Sequence, residues 1–175
     1  MTRSQLEHII LVAGSIANAG EIVVIGSQAV LGQFPNAPSE LLISREADVY
    51  PLQFPERSDL IDGTIGEGSP FERTYGYFAH GVGPETAVLP GGWEARLVTI
   101  TNENTQFVRG LCLEVHDLEI SKLVAGREKD IDFAVALHRH SMIDVEVLRS
   151  RLAATRLDSI LRTLVEGRIE RCTRF

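Results

Sequence analysis

Cysteine is scarce in this chain: Cys112 and Cys172 are the only two, and they lie far apart. That spacing forms no metal-ligand pattern and no disulfide framework, so bystander thiols in a reducing cytoplasm are expected. Nowhere does the chain approach the run of about 20 apolar residues that a membrane-spanning helix needs. The opening Met-Thr-Arg-Ser-Gln-Leu-Glu has no apolar signal core, and Glu7 and His8 interrupt it early. Basic side chains are few in the first two thirds: residues 1–120 hold 6 against 16 acidic, whereas residues 121–175 hold 11 against 8. So acidic a body argues against strong non-specific binding to nucleic acid, which needs arrays of Lys and Arg. It leaves open a nucleic acid held locally by the more basic tail, or a basic protein partner. Internal repeats and low-complexity segments are absent as well.

What is present is 175 residues that are 44% hydrophobic, enough for one sizeable core. Helical spacing of Leu6, Ile9, Ile10 and Ala13 predicts a helix over 4–19, opened by the capping-box pattern Ser4-x-x-Glu7 and stopped at Gly20. Residues 21–25 are a short, nearly all-apolar strand, the mark of burial on both faces. A loop with Pro35 and Pro38 leads to a second strand region over 41–52. Residues 58–65 suggest a short helix, and Ser69-Pro70-Phe71-Glu72 opens another. Residues 77–93 are punctuated by glycine and proline, with turns at Gly83-Pro84 and Pro90-Gly91-Gly92. Strands are expected over 96–101 and 107–115, joined at Asn102-Glu103-Asn104. From Asp117 onward the pattern is helical, with Asp117, Asp144 and Asp158 as caps and Gly126 as a break. Strands among helices, followed by helices alone, predict an α+β fold: a domain over 1–140 and a helical C-terminal appendage over 141–175.

The chemistry concentrates between Glu21 and Tyr50. A strand that runs into Gly26-Ser27 before a helix exposes backbone N–H groups, which favour an anion such as phosphate. Glycine lets that anion approach the backbone closely, although the same pair also serves as a plain cap. On the second strand Glu46 and Asp48 stand two residues apart, hence on one face, with Ala47 and Val49 turned to the core. Two carboxylates so placed repel unless a cation lies between them, and Mg²⁺ held by carboxylates and substrate phosphates suits them. The alternative is a solvated face with Arg45 as ion-pair partner.

These residues resemble the signature of the polymerase-β-like nucleotidyltransferase superfamily: an apolar residue, Gly, Gly or Ser, a spacer, then acid–apolar–acid–apolar. Here those are Ile25-Gly26-Ser27 and Glu46-Ala47-Asp48-Val49. A second block, Ser121-Lys122-Leu123 through Arg127-Glu128-Lys129-Asp130, is similar to small bacterial nucleotidyltransferase-like proteins akin to abortive-infection-type toxins. The resemblance implies a short mixed sheet flanked by helices. It also implies that Gly26 and Ser27 hold an NTP, and that Glu46 and Asp48 bind Mg²⁺ or Mn²⁺. Lys122 would reach the β- or γ-phosphate, with Arg127 or Lys129 on phosphate and Asp130 orienting one of these cations. The implied acceptor is tRNA or another RNA, a protein or a small molecule. A cognate antitoxin is an implied partner, and a separate alternative is a plain protein-interaction module in which the C-terminal helices over 144–175 supply a face for self-association. Three departures stand out: a long spacer over 28–45, Glu at the first metal position, and no isolated third acid. Glu114, in Leu113-Glu114-Val115, is placed best for that third role. These departures favour the alternative of a catalytically inactive relative that binds a nucleotide or a partner.

Other residues carry competing readings. His138 and His140, two apart on a helix, point away from each other and suit no shared ion. Trp93, Tyr75, Tyr77 and Phe78 could stack on a base or plug the core. Residues 81–86 could line a site or simply turn the chain.

Overall fold

The computed structural model describes residues 1–174. The helix α1 (Arg3–Ala17) precedes β1 (Glu21–Val24), a 3₁₀ turn at Ser27–Ala29 and the four-residue α2 (Val30–Gln33). Next come β2 (Glu46–Pro51), α3 (Ser58–Ile65), α4 (Pro70–Tyr75) and β3 (Phe78–Gly81). The sheet is completed by β4 (Val98–Ile100) and β5 (Arg109–Cys112). Four helices close the chain: α5 (Val115–Ala125), α6 (Glu128–Arg139), α7 (Val145–Ala153) and α8 (Ser159–Cys172). Strand order is β3-β2-β1-β5-β4. β1 runs antiparallel to β2 and parallel to β5, β2 runs parallel to β3, and β4 runs antiparallel to β5. This is an α+β fold, a five-stranded mixed sheet flanked by helices, as the sequence predicts. Among the described residues, no helix is long and apolar enough to cross a membrane.

β1 sits in the middle because it can be buried on both faces: Ile22, Val23 and Val24 are all fully inaccessible. Leu6, Ile9, Ile10 and Ala13 of α1 pack with them in one core, at about 1.5–3 kcal/mol for each fully buried large aliphatic side chain. α1 begins and ends earlier than the spacing predicts. Its capping box is Thr2 with Gln5, not Ser4 with Glu7, and its stop is Asn18 in the left-handed region. Glu7 is drawn instead into a buried cluster with Arg3, Asn102 and Asn104. The caps at Ser69, Asp144 and Asp158, and the stop at Gly126, fall where expected.

Two departures from the sequence expectation bear on the site. The glycine- and proline-punctuated stretch, for which no strand is expected, contains β3, which pairs along β2 at the sheet edge. Its Gly81 lies so close to α3 that any Cβ there would overlap the Ser58 carbonyl oxygen. Asp117 is not a cap, since Glu114 takes that position on α5. Asp117 is fully buried, with Arg96 donating to both of its oxygens at 2.8 and 3.0 Å. Arg151 approaches from α7 at 3.2 Å. One carboxylate thus ties the loop before β4, α5 and α7 together. The C-terminal helices share a second core with α5 and α6, in which Ile120, Leu123 and Ala134 meet Leu148, Val165 and Ile169.

Removing one member of a buried charge cluster leaves the others uncompensated. Asp117→Ala is therefore expected to cost about 3–5 kcal/mol, read as a lower urea midpoint at neutral pH.

Candidate active site

The geometry starts from a single glycine. At the end of β1, the Ile25 N–H donates to the Asp48 carbonyl at 3.0 Å and locks the turn to β2. Gly26 follows with an extended backbone, and a Cβ there would fall inside the Asp48 carboxylate. The carboxylate therefore rests on bare backbone, a close approach that only glycine leaves open. Ser27 then enters the 3₁₀ turn. The helix behind it is only four residues long, so a helix dipole adds little to the backbone N–H groups of the turn. Gln28, next in the turn, is fully buried, and neither of its amide atoms has a hydrogen-bond partner among the described residues.

Glu46 and Asp48 alternate with the buried Ala47 and Val49, as the strand period demands. Both acids line a cavity of about 580 Å³, and Ser27 lines it too. The opposite side comes from α5, α6 and the link between them, which bring Lys122, Arg127 and Lys129 to the same space. Lys129 Nζ stands 4.0 Å from Glu46 Oε1. Asp130, almost wholly buried, grips the other two cations, with Arg127 Nε at 2.6 Å and Lys122 Nζ at 3.2 Å. Lys122 also lies 5.8 Å from the centroid of the Phe133 ring. Burial pushes the Asp130 carboxyl up, but the Arg127 hydrogen bond and the Lys122 and Arg127 charges outweigh it and hold it below the ordinary value. The Asp130 hydrogen bond raises Arg127 further above its usual range, helped by Asp48 and Glu46. Only two lysines occur in the whole sequence, and both face this cavity.

The remaining walls mix an apolar patch with polar side chains, among them Ser44 and Asp132. Leu41 and Ile43, from the long spacer, face Phe133 and Ala136 of α6. Glu40 fastens that spacer to α6 through Arg139 at 2.9 Å and to the end of the helix through His140. Residues 81–86 contribute Val82 and Thr86. His80 joins the acids as well, a position that the turn-like composition around β3 conceals in the sequence. The short apolar run Tyr77-Phe78-Ala79 before it is the signal that marks the strand.

Glu114 is turned to other work. β5 ends at Cys112, so Glu114 does not continue a strand. Its oxygens accept from the His116 backbone N–H at 3.1 Å and meet His116 Nδ1 at 2.7 Å, and it does not line the cavity. The expectation of a third carboxylate at Glu114 is corrected accordingly. Tyr75 and Tyr77 pack with Phe71 and His8 rather than against the cavity. His138 binds Glu119 and His140 binds Glu40, so the two share no ion.

Among the described residues, no three His, Cys, Asp or Glu side chains converge as they stand on a metal position. Two carboxylates on one strand face, with open space beside them, still fit a divalent cation whose remaining ligands are phosphate oxygens and water.

A strand–turn–strand unit that presents an acid pair beside a Gly-Ser turn, within this α+β fold, is that of a nucleotidyltransferase-like protein. The chain belongs to the family described as "Nucleotidyltransferase of unknown function (DUF6036)", whose match runs over residues 5–164. Neither a curated protein nor a solved structure matches the chain.

Gly26→Ala is expected to push the Asp48 carboxylate aside while the fold survives, because the atoms displaced belong to a side chain. The melting temperature should fall by only a few degrees, about 1–2 kcal/mol, while the Asp48 carboxylate is displaced from the turn, which a crystal structure of the variant checks.

Asp130 gives a pH signature. A carboxyl held low in the folded state adds stability that is present above its unfolded value near 3.8 and is lost as pH falls through the folded value. Asp130→Asn should cost about 2–4 kcal/mol at neutral pH and flatten the decline in melting temperature below about pH 4.

Proposed function

We propose that the protein transfers a nucleoside monophosphate from an NTP to an acceptor hydroxyl or phosphate, with Mg²⁺ or Mn²⁺ as cofactor, as in the polymerase-β-like superfamily. The observation that carries this reading is the meeting of Glu46 and Asp48 with Lys122, Arg127 and Lys129 across one cavity beside Ser27. The Glu46 and Asp48 oxygens, with a cation between them, and the charges of Lys122, Arg127 and Lys129 match a triphosphate whose charge is shared between them. The cavity volume lies within the range for small-molecule sites, and its apolar side offers a seat for the base.

In this reading the Ser27 hydroxyl and the N–H groups of the turn hold phosphate oxygens, and Lys122 meets the charge that develops on the leaving pyrophosphate. The acceptor oxygen attacks the α-phosphorus and forms the new P–O bond. The bond to the β-phosphate oxygen breaks, and the acceptor proton passes to water. A divalent cation on Glu46 and Asp48 supplies charge neutralisation and a more acidic acceptor oxygen. Asp130 keeps Lys122 and Arg127 in place, and Phe133 flanks Lys122.

The likeness to abortive-infection-type toxins supports RNA, tRNA in particular, as acceptor, an antitoxin protein as partner, and a cytoplasmic setting. A second reading, an inactive relative that binds a nucleotide or a partner, is favoured by one observation: among the described residues, no third acid converges with Glu46 and Asp48 on a metal position as they are placed.

The test has two parts. Calorimetry of the full chain with each NTP should show binding that needs Mg²⁺ or Mn²⁺ and weakens by about 100-fold or more in Asp48→Ala. Incubation of the wild type with α-labelled NTPs and total cell extract should then label one class of acceptor. Tight binding without cation and without labelled product selects the second reading, and no binding at all overturns both.

A further inference from the structure

Beside Asp48 the cavity holds a histidine. β2 and β3 run parallel in a register that sets Asp48 against His80, so both side chains rise from the same face of the sheet. His80 Nδ1 lies 3.3 Å from Asp48 Oδ1, and both groups line the cavity. The two groups are thus in direct contact, near enough that both could serve one ion. Beyond this contact His80 has no side-chain partner among the described residues, and its side chain is 54% exposed, so its ring is open to a ligand. Its backbone, by contrast, is fixed. The Val82 N–H donates to the Val49 carbonyl at 3.0 Å, and Gly81 is pressed against α3.

We infer that His80 is the third protein ligand of the Glu46–Asp48 cation site, and that its nitrogen tilts the site from Mg²⁺ toward Mn²⁺. This deepens the nucleotidyltransferase reading and rests on it. Asp48 and His80 form the seat. Glu46, on the same strand face, completes it by turning away from Lys129, a rotamer change open to a side chain 36% exposed. Mg²⁺ favours a shell of oxygens and gives up water reluctantly. First-row transition ions accept an imidazole nitrogen more readily, so exchanging an acid for histidine shifts the preference without dismantling the site.

The test uses the full chain with a non-hydrolysable NTP and Mn²⁺, followed by electron paramagnetic resonance. In protein carrying ¹⁵N-histidine, the spin-echo modulation of bound Mn²⁺ should show a directly ligated nitrogen, and His80→Asp should abolish it. Competition by Mg²⁺ should show a Mn²⁺ preference of at least about tenfold in the wild type, narrowed several-fold in His80→Asp and weakened for both ions in His80→Ala. Circular dichroism melts confirm that both variants fold. If Mn²⁺ binds, is lost in Asp48→Ala, yet carries no histidine coupling, His80 is not a ligand while the acid-pair reading stands. If the wild type binds neither ion with the NTP present, both readings fall.

Discussion

A carboxylate laid on naked backbone is the constraint on which the site is built. Asp48 can lean toward the end of β1 only because Gly26 has nothing to oppose it. The same contact fixes the distance between β2 and the Ser27 turn. It works together with the backbone bond from Ile25 to Asp48, so strand pairing and site geometry are one event. A larger residue at position 26 would separate them. The sheet would still form, since Ile22, Val23 and Val24 supply its burial, but the acid would no longer share a space with the turn.

Opposite that contact, buried acids organise the cations. Asp130 sits near the start of α6 and holds Lys122 from α5 and Arg127 from the link between the helices. Three charges of alternating sign at short range satisfy one another and leave a net positive surface toward the cavity. Asp117 repeats the device at the other end of α5, where Arg96 and Arg151 converge on it. Charge thus fixes α5 at both ends, while a small apolar core of Ile120 and Leu123 with α6, α7 and α8 fills the space between. The cavity wall is held by helices that are themselves clamped.

The features legible in the sequence are those set by local rules. The strand period places Glu46 and Asp48 on one face whatever surrounds them, and a glycine before a turn is readable from its neighbours. Lys122, Arg127, Lys129 and Asp130 are reached only through resemblance, because nothing in their own segment tells which way α5 and α6 face. His80 is hidden because its strand is four residues long, lies in a glycine- and proline-rich stretch, and exists through pairing with a distant partner. Glu7 and Asp117 mimic caps in sequence. Asparagines and arginines far along the chain claim them instead. Thr2 with Gln5 shows the same ambiguity from the other side, since two overlapping capping patterns compete and tertiary contacts choose between them.

The scarcity of lysine has a practical side. Fifteen of the seventeen strongly basic side chains are arginine, and the two ε-amines present, on Lys122 and Lys129, both open into the cavity. Acylating reagents, biotin esters and aldehyde supports usually spread their damage across a protein's surface. On this chain side-chain acylation converges on the cleft, so an attempt to tether the molecule through its lysines would modify the candidate site itself. Thiol tethering fares no better with both cysteines buried, which leaves engineered handles as the way to attach it without touching the site.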